Sequence, residues 1–259
     1  MIFLILGIYL ISGFCLSDCG QGGDGDDLLQ AAGRGKANVV RRILNCGKVD
    51  VNHVNSYGET GLWLASYHGH HTVVKMFLAS PGIKVNLAKL PKKIGCTPLC
   101  IAAEKGQSEV VKQLLSSPLI DVNQATTGGS TPLSKAAYFG RVGVIKLLLA
   151  DPRVDLNQRA SNLSYPANMP PIGIAAHLGR LDVVKLLLRC PKTDISFRIE
   201  GYTLVDAAKR DVHVGEKYRA EYLGVPLGSD SEIRQRKKEI VNAIQSRPAL
   251  LDKGHTCPK

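Results

Sequence analysis

The sequence has few aromatic side chains and none of the short motifs that mark common enzyme active sites. Only 5% of its 259 residues are Phe, Trp or Tyr. No nucleophile elbow, HExxH motif or paired-carboxylate arrangement is present. The stretch GRGKA at 33–37 lacks the first Gly of a phosphate loop, and Ala37 stands where Ser or Thr would bind magnesium. These absences indicate a protein without catalytic residues.

Metal-ligand patterns are equally scarce. Cys96 and Cys100 have no second cysteine pair nearby, which a structural zinc site would need. The acidic stretch GGDGDD at 22–27 lacks the twelve-residue pattern of a calcium loop. We therefore interpret residues 18–25 as a Gly/Asp-rich linker and expect no metal site and no cofactor.

The long apolar run lies at the N-terminus, in MIFLILGIYLISGFCLSDCG. Its apolar part of about 14 residues is short for a membrane span, which needs roughly 20, and is typical of a signal peptide. Cys15 and Ser17 would allow cleavage before Asp18, although a positively charged start is missing. We interpret residues 1–17 as a signal peptide and expect the secretory pathway. The alternatives are an N-terminal anchor, or a mis-assigned start on a cytoplasmic protein.

The chain is basic, with a formal net charge of +11 at pH 7. The excess of Lys and Arg is spread along the sequence and is not collected in a tail. Such a balance suits an acidic protein segment, nucleic acid or an anionic surface, so charge alone does not choose among these partners.

What the sequence does contain is a repeated pattern. TGLWLASYHG, TPLCIAAEKG, TPLSKAAYFG and PPIGIAAHLG recur, and they are followed by HTVVKMFL, SEVVKQLL, VGVIKLLL and LDVVKLLL. Thr97 suits a helix N-cap, Pro98 the first helical position and Gly106 the C-terminal end. The Val/Leu segments form a one-sided apolar stripe that only neighbouring copies can bury. The pattern therefore predicts stacked helix pairs.

A repeat of about 33 residues headed by TPL resembles the ankyrin repeat. The resemblance covers residues 26–248. It implies an all-α solenoid of about six helix-turn-helix units with β-hairpin-like loops. A capping repeat is expected at 26–57, with Asp26 capping its helix. Further repeats are expected from about 58, 95, 129, 168 and 201, the last with an insertion at about 211–234 before a C-terminal tail at 249–259.

Several positions are diagnostic within this pattern. The His that usually follows TPL is replaced by Trp63, Cys100, Ser134, Gly173 and Asp206, so we do not expect the family's Thr–His hydrogen-bond network. The family pattern itself places His after the Gly, so the cluster in YHGHH is not interpreted as a metal site. At a constant spacing after each second helix stand Asn52, Asn86, Asn123 and Asn157, and Ser196 takes this place in the fifth unit.

The seven cysteines show no disulfide framework. Cys46 and Cys190 occupy equivalent positions of distant repeats and cannot meet in a stack. We expect only Cys19 and Cys257, in the two tails, to be free to pair. Asn162 begins an N-glycosylation sequon that ends at Ser164.

In the ankyrin family, partners mostly contact the hairpin tips and the exposed positions of the first helices. Carried over to this sequence, those positions include Tyr57, Glu59, Tyr67, His68, Lys92, Lys93, Glu104, Lys105, Ser130, Tyr138, Phe139, His177 and Leu178. We expect Tyr138 and Phe139, in the central repeat, to be exposed anchors of the binding surface. The alternative is that Phe139 and Leu178 pack against an adjacent repeat.

The resemblance implies a monomeric, non-catalytic module that binds a protein partner on its concave face and hairpin tips. The basic charge favours an acidic partner. One alternative is a charge-driven binder of nucleic acid or an anionic surface. Another is a secreted effector or toxin-like protein. Binding that depends steeply on salt concentration would favour the charge-driven alternative.

Overall fold

The computed structural model describes residues 24–89, 95–160, 168–198, 201–210, 228–247 and Cys257. These residues form helices joined by turns, with an isolated β-bridge between Val54 and Thr60. Within these ranges, no helix is both long and apolar enough to cross a membrane. The predicted sequon at Asn162 and the tip lysines Lys92 and Lys93 lie outside the described residues.

The described residues form twelve helices, which follow one another as six pairs. Their bounds are α1 Gly25–Gly33, α2 Ala37–Cys46, α3 Gly61–His68, α4 His71–Leu78, α5 Pro98–Lys105, α6 Ser108–Leu115, α7 Pro132–Tyr138, α8 Val142–Ala150, α9 Pro171–His177, α10 Leu181–Arg189, α11 Leu204–Lys209 and α12 Asp230–Gln245. The first helices of successive pairs pack on one another, and so do the second helices, which gives two layers. The expected all-α stack of helix pairs is confirmed.

Side-chain caps begin most of the first helices. The hydroxyl oxygens of Thr60, Thr97 and Thr131 each accept a hydrogen bond from the backbone N–H three residues later. The expected cap of the first helix is wrong by two residues. Asp24, not Asp26, caps α1, because Asp24 and Asp27 exchange backbone hydrogen bonds in a capping box. The helix therefore begins inside the stretch interpreted as linker.

The core follows the apolar stripe of the repeats. Val110, Val111 and Leu114 of α6 are fully buried, and they pack with the corresponding side chains of neighbouring second helices. Ala102 and Ala103 are also fully buried, because the first helices approach one another closely at these small residues. The hydrophobic effect thus holds each pair against its neighbours as well as its two helices against each other.

A ladder of asparagines connects the loops that follow the second helices, and we call it the Asn ladder. The Asn123 side chain donates to the Arg153 carbonyl and accepts from the Asp155 amide, at 2.8 Å each. Equivalent pairs of bonds are made by Asn52, Asn86 and Asn157. The Ser196 hydroxyl instead donates to Asp194 in its own loop. The constant spacing of these asparagines therefore reflects bonding between adjacent repeats.

Replacing Asn123 by Ala should lower the free energy of unfolding by about 1 kcal/mol, because two inter-repeat hydrogen bonds are lost at a partly exposed site. Urea denaturation at neutral pH measures the change. Asn45→Ala, at an exposed position of α2, is the control and should change stability by less than about 0.5 kcal/mol. If the two variants had equal free energies of unfolding, the hydrogen bonds of Asn123 would not stabilise the stack.

A second ladder crosses the turns within the pairs, and we call it the turn ladder. The residue after each turn Gly reaches back to the carbonyl two residues before the corresponding Gly of the preceding repeat. The four side chains are His70 to Gly33, Gln107 to Tyr67, Arg141 to Glu104 and Arg180 to Tyr138. These contacts satisfy carbonyls at the C-terminal ends of the first helices. Burial, and then repulsion by Arg236, lowers the pKa of Arg180 to about 10.

The C-terminal end of the stack is held differently. Arg247 is 7% exposed and donates to the carbonyls of Leu188, Cys190, Pro191 and Thr193, at 2.8–3.3 Å. A disulfide joins Cys190 to Cys257. The prediction that only the tail cysteines Cys19 and Cys257 are free to pair is therefore wrong, because Cys257 pairs with a repeat cysteine.

The cysteine prediction failed because equivalent positions of distant repeats exclude only a direct Cys46–Cys190 bond. They do not prevent a tail cysteine from returning to either one. Cys46 is also disulfide-bonded, so the expectation of reduced repeat cysteines is wrong at both of these positions. Cys96 and Cys100 are free thiols.

Candidate functional site

The first helices and the hairpin tips carry most of the predicted binding positions. A backbone hydrogen bond closes each described tip, between Asn55 and Glu59, Lys89 and Cys96, Thr126 and Ser130, and Ala160 and Met169. The extra residues of the two longer tips lie between these closing pairs in the sequence. Exposed or half-buried side chains are found at Tyr57, Glu59, Tyr67, His68, Glu104, Lys105, Ser130 and Tyr138.

Three of the predicted positions are buried, so the expectation that they are exposed is wrong. Phe139 is 6% exposed, Leu178 is 2% exposed and His177 is fully buried. Leu178 packs in a cluster that includes Ile233 from α12. The long last helix therefore covers this end of the first-helix layer. Packing of Phe139 and Leu178 against neighbouring elements, the alternative interpretation, is the one that the burial supports.

Four rings follow one another along α3 and the turn after it, and we call them the ring row. Trp63 stacks on Tyr67 with ring centroids 5.4 Å apart. Tyr67 meets His68 edge-on at 4.8 Å, and His68 stacks on His70 at 5.9 Å. Exposure rises along the row, from the buried Trp63 through the half-buried Tyr67 to the exposed His68. His70, the fourth ring, is half-buried and bonded to the Gly33 carbonyl. The row is therefore held at both ends and is most exposed at His68.

Lysines from the next repeat lie over two of these rings. Lys89 Nζ is 4.7 Å from the Trp63 ring and Lys105 Nζ is 4.7 Å from the Tyr67 ring. Cation–π attraction of this kind is worth about 0.5–1 kcal/mol at exposed sites. The lysines thus fix the rings in place before any partner arrives.

Carboxylates complete the arrangement. Glu59 Oε1 is 2.6 Å from Lys89 Nζ, and Glu104 lies 3.6 Å from Lys105 Nζ and 3.2 Å from Lys135 Nζ. Burial alone would raise the pKa of Glu59, but hydrogen bonds from Lys89 and Asn55 hold that pKa below its usual value. Glu59 is therefore ionised at neutral pH. The surface carries alternating charges around aromatic rings.

The two free thiols lie beneath this surface. Cys96 and Cys100 pack with Trp63 and Ile101, and the Trp63 indole donates to the Cys96 carbonyl at 3.0 Å. The hydrogen bond with Cys100, and then burial, raises the pKa of the Cys96 thiol far above its usual value. A thiol of this kind is neutral and a poor nucleophile. The arrangement offers contact surface and not a reactive group.

A family model described as ankyrin repeats in three copies matches residues 7–89 and 87–160, more than half of the chain. The chain belongs to the ankyrin repeat family. Its first and second helices are those of the ankyrin unit, and two further helix pairs follow the matched region. Ankyrin repeats are generally modules of protein–protein interaction, and the family is typically non-catalytic.

A relative shares part of this ankyrin region. The ankyrin repeat domain-containing protein 29 of Danio rerio is 37% identical over 59 residues, which are 23% of this chain and 20% of that protein. The chain thus matches about a fifth of the relative's length. The matched length of 59 residues is less than two repeats.

Two members of the ankyrin surface were missing from the sequence prediction. Trp63 was considered only as a replacement for His, and Lys89 was not among the predicted binding positions. The signal that could have found them is their spacing. Trp63 and Tyr67 are four residues apart on one helix, so their rings must meet, and Lys89 stands in the tip that follows.

Proposed function

We propose that this chain binds a protein partner through the tip residue Tyr57 and the exposed His68 of the ring row. The observation that carries the proposal is the ring row itself. Rings held rigidly by neighbouring lysines lose little side-chain entropy on binding, which is the usual property of hot-spot residues. Tyr57 is 66% exposed at the hairpin tip that precedes α3 in the sequence. The module is non-catalytic.

The charges around the ring row favour a protein over a polyanion. Lys89, Lys105 and Lys135 are already paired with Glu59 or Glu104. A phosphate backbone would have to compete with these carboxylates for each lysine, and it would gain little from the rings' apolar faces. With three lysines and two glutamates, this surface suits a mildly acidic protein segment with an apolar side chain.

Alanine substitution of Tyr57 and His68 together should weaken partner binding at least ten-fold, about 1.4 kcal/mol, because both side chains are exposed and neither belongs to the core. The partner is first captured on the immobilised wild-type chain, and its affinity is then measured by surface plasmon resonance.

Leu119→Ala is the matched control for this measurement. Leu119 is also 66% exposed, but it lies after a second helix, away from the ring row. It should leave the affinity within two-fold. A loss of binding in the control but not in the double variant would place the partner on another surface.

We further propose that the chain is secreted after removal of residues 1–17. The apolar leader motivates the proposal, and the Cys190–Cys257 disulfide supports it, because structural disulfides persist mainly in oxidising compartments.

The processed chain should begin at Asp18 when the protein is expressed in eukaryotic cells. Mass spectrometry of the N-terminal peptide, on protein recovered from the medium, measures this. Replacing Leu4 and Leu6 by Arg should retain the protein inside the cell, since a charged leader is not recognised. Cytoplasmic protein with an intact Met1 would contradict the proposal.

A further inference from the structure

A groove of about 330 Å³ lies between the end of α11 and one side of α12, and we call it the α11–α12 groove. Its described lining consists of Lys209, Arg234, Lys237, Lys238, Val241 and Asn242. Among these residues Lys209, Arg234 and Lys238 carry exposed positive charges, Lys237 is buried, and none is a carboxylate. The groove is therefore a concentrated patch of positive charge on a chain whose basic residues are otherwise spread out.

The spacing on α12 shows that the basic residues form a face of their own. Arg234, Lys238 and Val241 lie four and then three residues apart, so they follow one side of the helix. Another side, with Ile233, Ile240 and Ile244, is buried and holds α12 on the stack. The fold needs the isoleucines. It does not need Arg234 and Lys238, which are exposed and repel each other across one helical turn.

The surroundings strengthen the positive potential. Arg236, on a third side of α12, lines a neighbouring cavity together with Arg180 and Asp182. Burial, and then repulsion by Arg236, lowers the pKa of Arg180. Cations on two sides of one helix raise the local concentration of anions near it. An incoming carboxylate would be attracted before it makes any contact.

The lining also indicates the class of anion. Val241 and the alkyl stems of the lysines give the groove apolar walls, and the Asn242 amide can both donate to and accept from a peptide backbone. A volume of about 330 Å³ accommodates a few side chains. A nucleic-acid backbone would use the charges but neither the apolar wall nor the amide.

We infer that the α11–α12 groove binds an acidic peptide segment of a protein, whose carboxylates contact Lys209, Arg234 and Lys238 while an apolar side chain lies against Val241. The inference does not rest on the ring-row proposal, because the two surfaces share no residue.

The test uses the full chain and a fluorescein-labelled octapeptide of Glu with two central Leu residues, followed by fluorescence anisotropy at about 150 mM salt. Arg234→Gln with Lys238→Gln should weaken binding at least ten-fold, and Lys209→Gln alone should weaken it about three-fold. The matched control is Lys75→Gln with Lys112→Gln, which removes two exposed charges from the second helices of earlier repeats. This control should stay within two-fold of the wild type.

Two further probes separate the acidic peptide from a general polyanion. Replacing both Leu residues of the peptide by Gly should weaken its binding, and an oligothymidylate of equal charge should bind less tightly than the peptide. Equal weakening in both double variants, or tighter binding of the oligothymidylate, would overturn the inference. Tyr57→Ala with His68→Ala should leave the peptide affinity unchanged. The ring-row proposal and the groove inference can therefore fail independently of each other.

The Arg234 and Lys238 variant should fold, because both side chains are exposed and their mutual repulsion is removed. Its melting temperature, followed by circular dichroism, should equal or exceed that of the wild type. If α12 nevertheless unfolds, Lys209→Gln provides an independent result, since Lys209 is exposed at the end of α11. An unchanged affinity in a folded Lys209→Gln variant would count against the groove.

Discussion

Replacing Arg247 by Ala is expected to lower the free energy of unfolding by about 3 kcal/mol. The guanidinium donates to four backbone carbonyls at and just beyond the end of α10. Alanine would leave these buried acceptors to find water or stay unpaired, and unpaired buried polar groups cost about 1–3 kcal/mol each when no water reaches them. Urea denaturation under non-reducing conditions measures the change.

Gln245→Ala is the control for Arg247. Gln245 lies two residues earlier and is the exposed last residue of α12. Its replacement should change stability by less than about 0.5 kcal/mol. Arg247→Lys should fall between the two, because a single ammonium cannot reach all four carbonyls in a fork. If Arg247→Ala were no more damaging than Gln245→Ala, the end of the stack would be held by other contacts.

Replacing Gly61 by Ala is expected to destabilise the protein by about 2 kcal/mol, although Ala is normally the better helix former. Gly61 is the first residue of α3, where three of the other first helices have Pro98, Pro132 and Pro171. A Cβ at Gly61 would overlap the ring of Phe77, which is fully buried. The ring cannot move without disturbing its neighbours, so overpacking outweighs the gain in helix propensity.

Gly33→Ala provides the comparison. Gly33 is also helical, but an added Cβ would lie 3.8 Å from Leu64, an ordinary contact, so this variant should be neutral or slightly stabilised. Thermal denaturation of both variants measures the difference. The double variant Gly61→Ala with Phe77→Leu should cost less than the sum of its single changes, because the smaller side chain makes room. Strict additivity would show that the strain lies elsewhere.

Much of the fold was predictable because the same helix-start, helix-end and loop residues recur in successive repeats. Thr97 and Thr131 predict helix starts, Gly106 predicts a helix end, and the regular asparagines mark each return loop. The identity of the Asn ladder's partners did not follow from the spacing. Asn123 bonds to the backbone of Arg153 and Asp155, about 30 residues away. Every residue type has the same backbone groups, so the sequence does not reveal which residues are the partners.

The binding surface was predictable only in part. Tyr57 and His68 are exposed as the repeat pattern implies, since their surroundings are set within one repeat and its neighbour. Phe139 and Leu178 occupy family positions that are normally open, and they are buried. For Leu178 the cause is Ile233, which reaches it from beyond an insertion. No rule within the repeat could have anticipated that contact.

The Asn ladder and the turn ladder each connect a repeat only to the next one along the chain. Their partners are about 30 to 42 residues apart, so no bond of either ladder reaches beyond the adjacent repeat. Such a chain can nucleate at any adjacent pair of repeats and extend by adding neighbours, and nearest-neighbour coupling then sets its cooperativity. Because Ser196 turns back to its own loop, this coupling weakens before the last helix pair. That pair should exchange its amide protons sooner than the centre of the array whenever the Cys190–Cys257 bond is reduced.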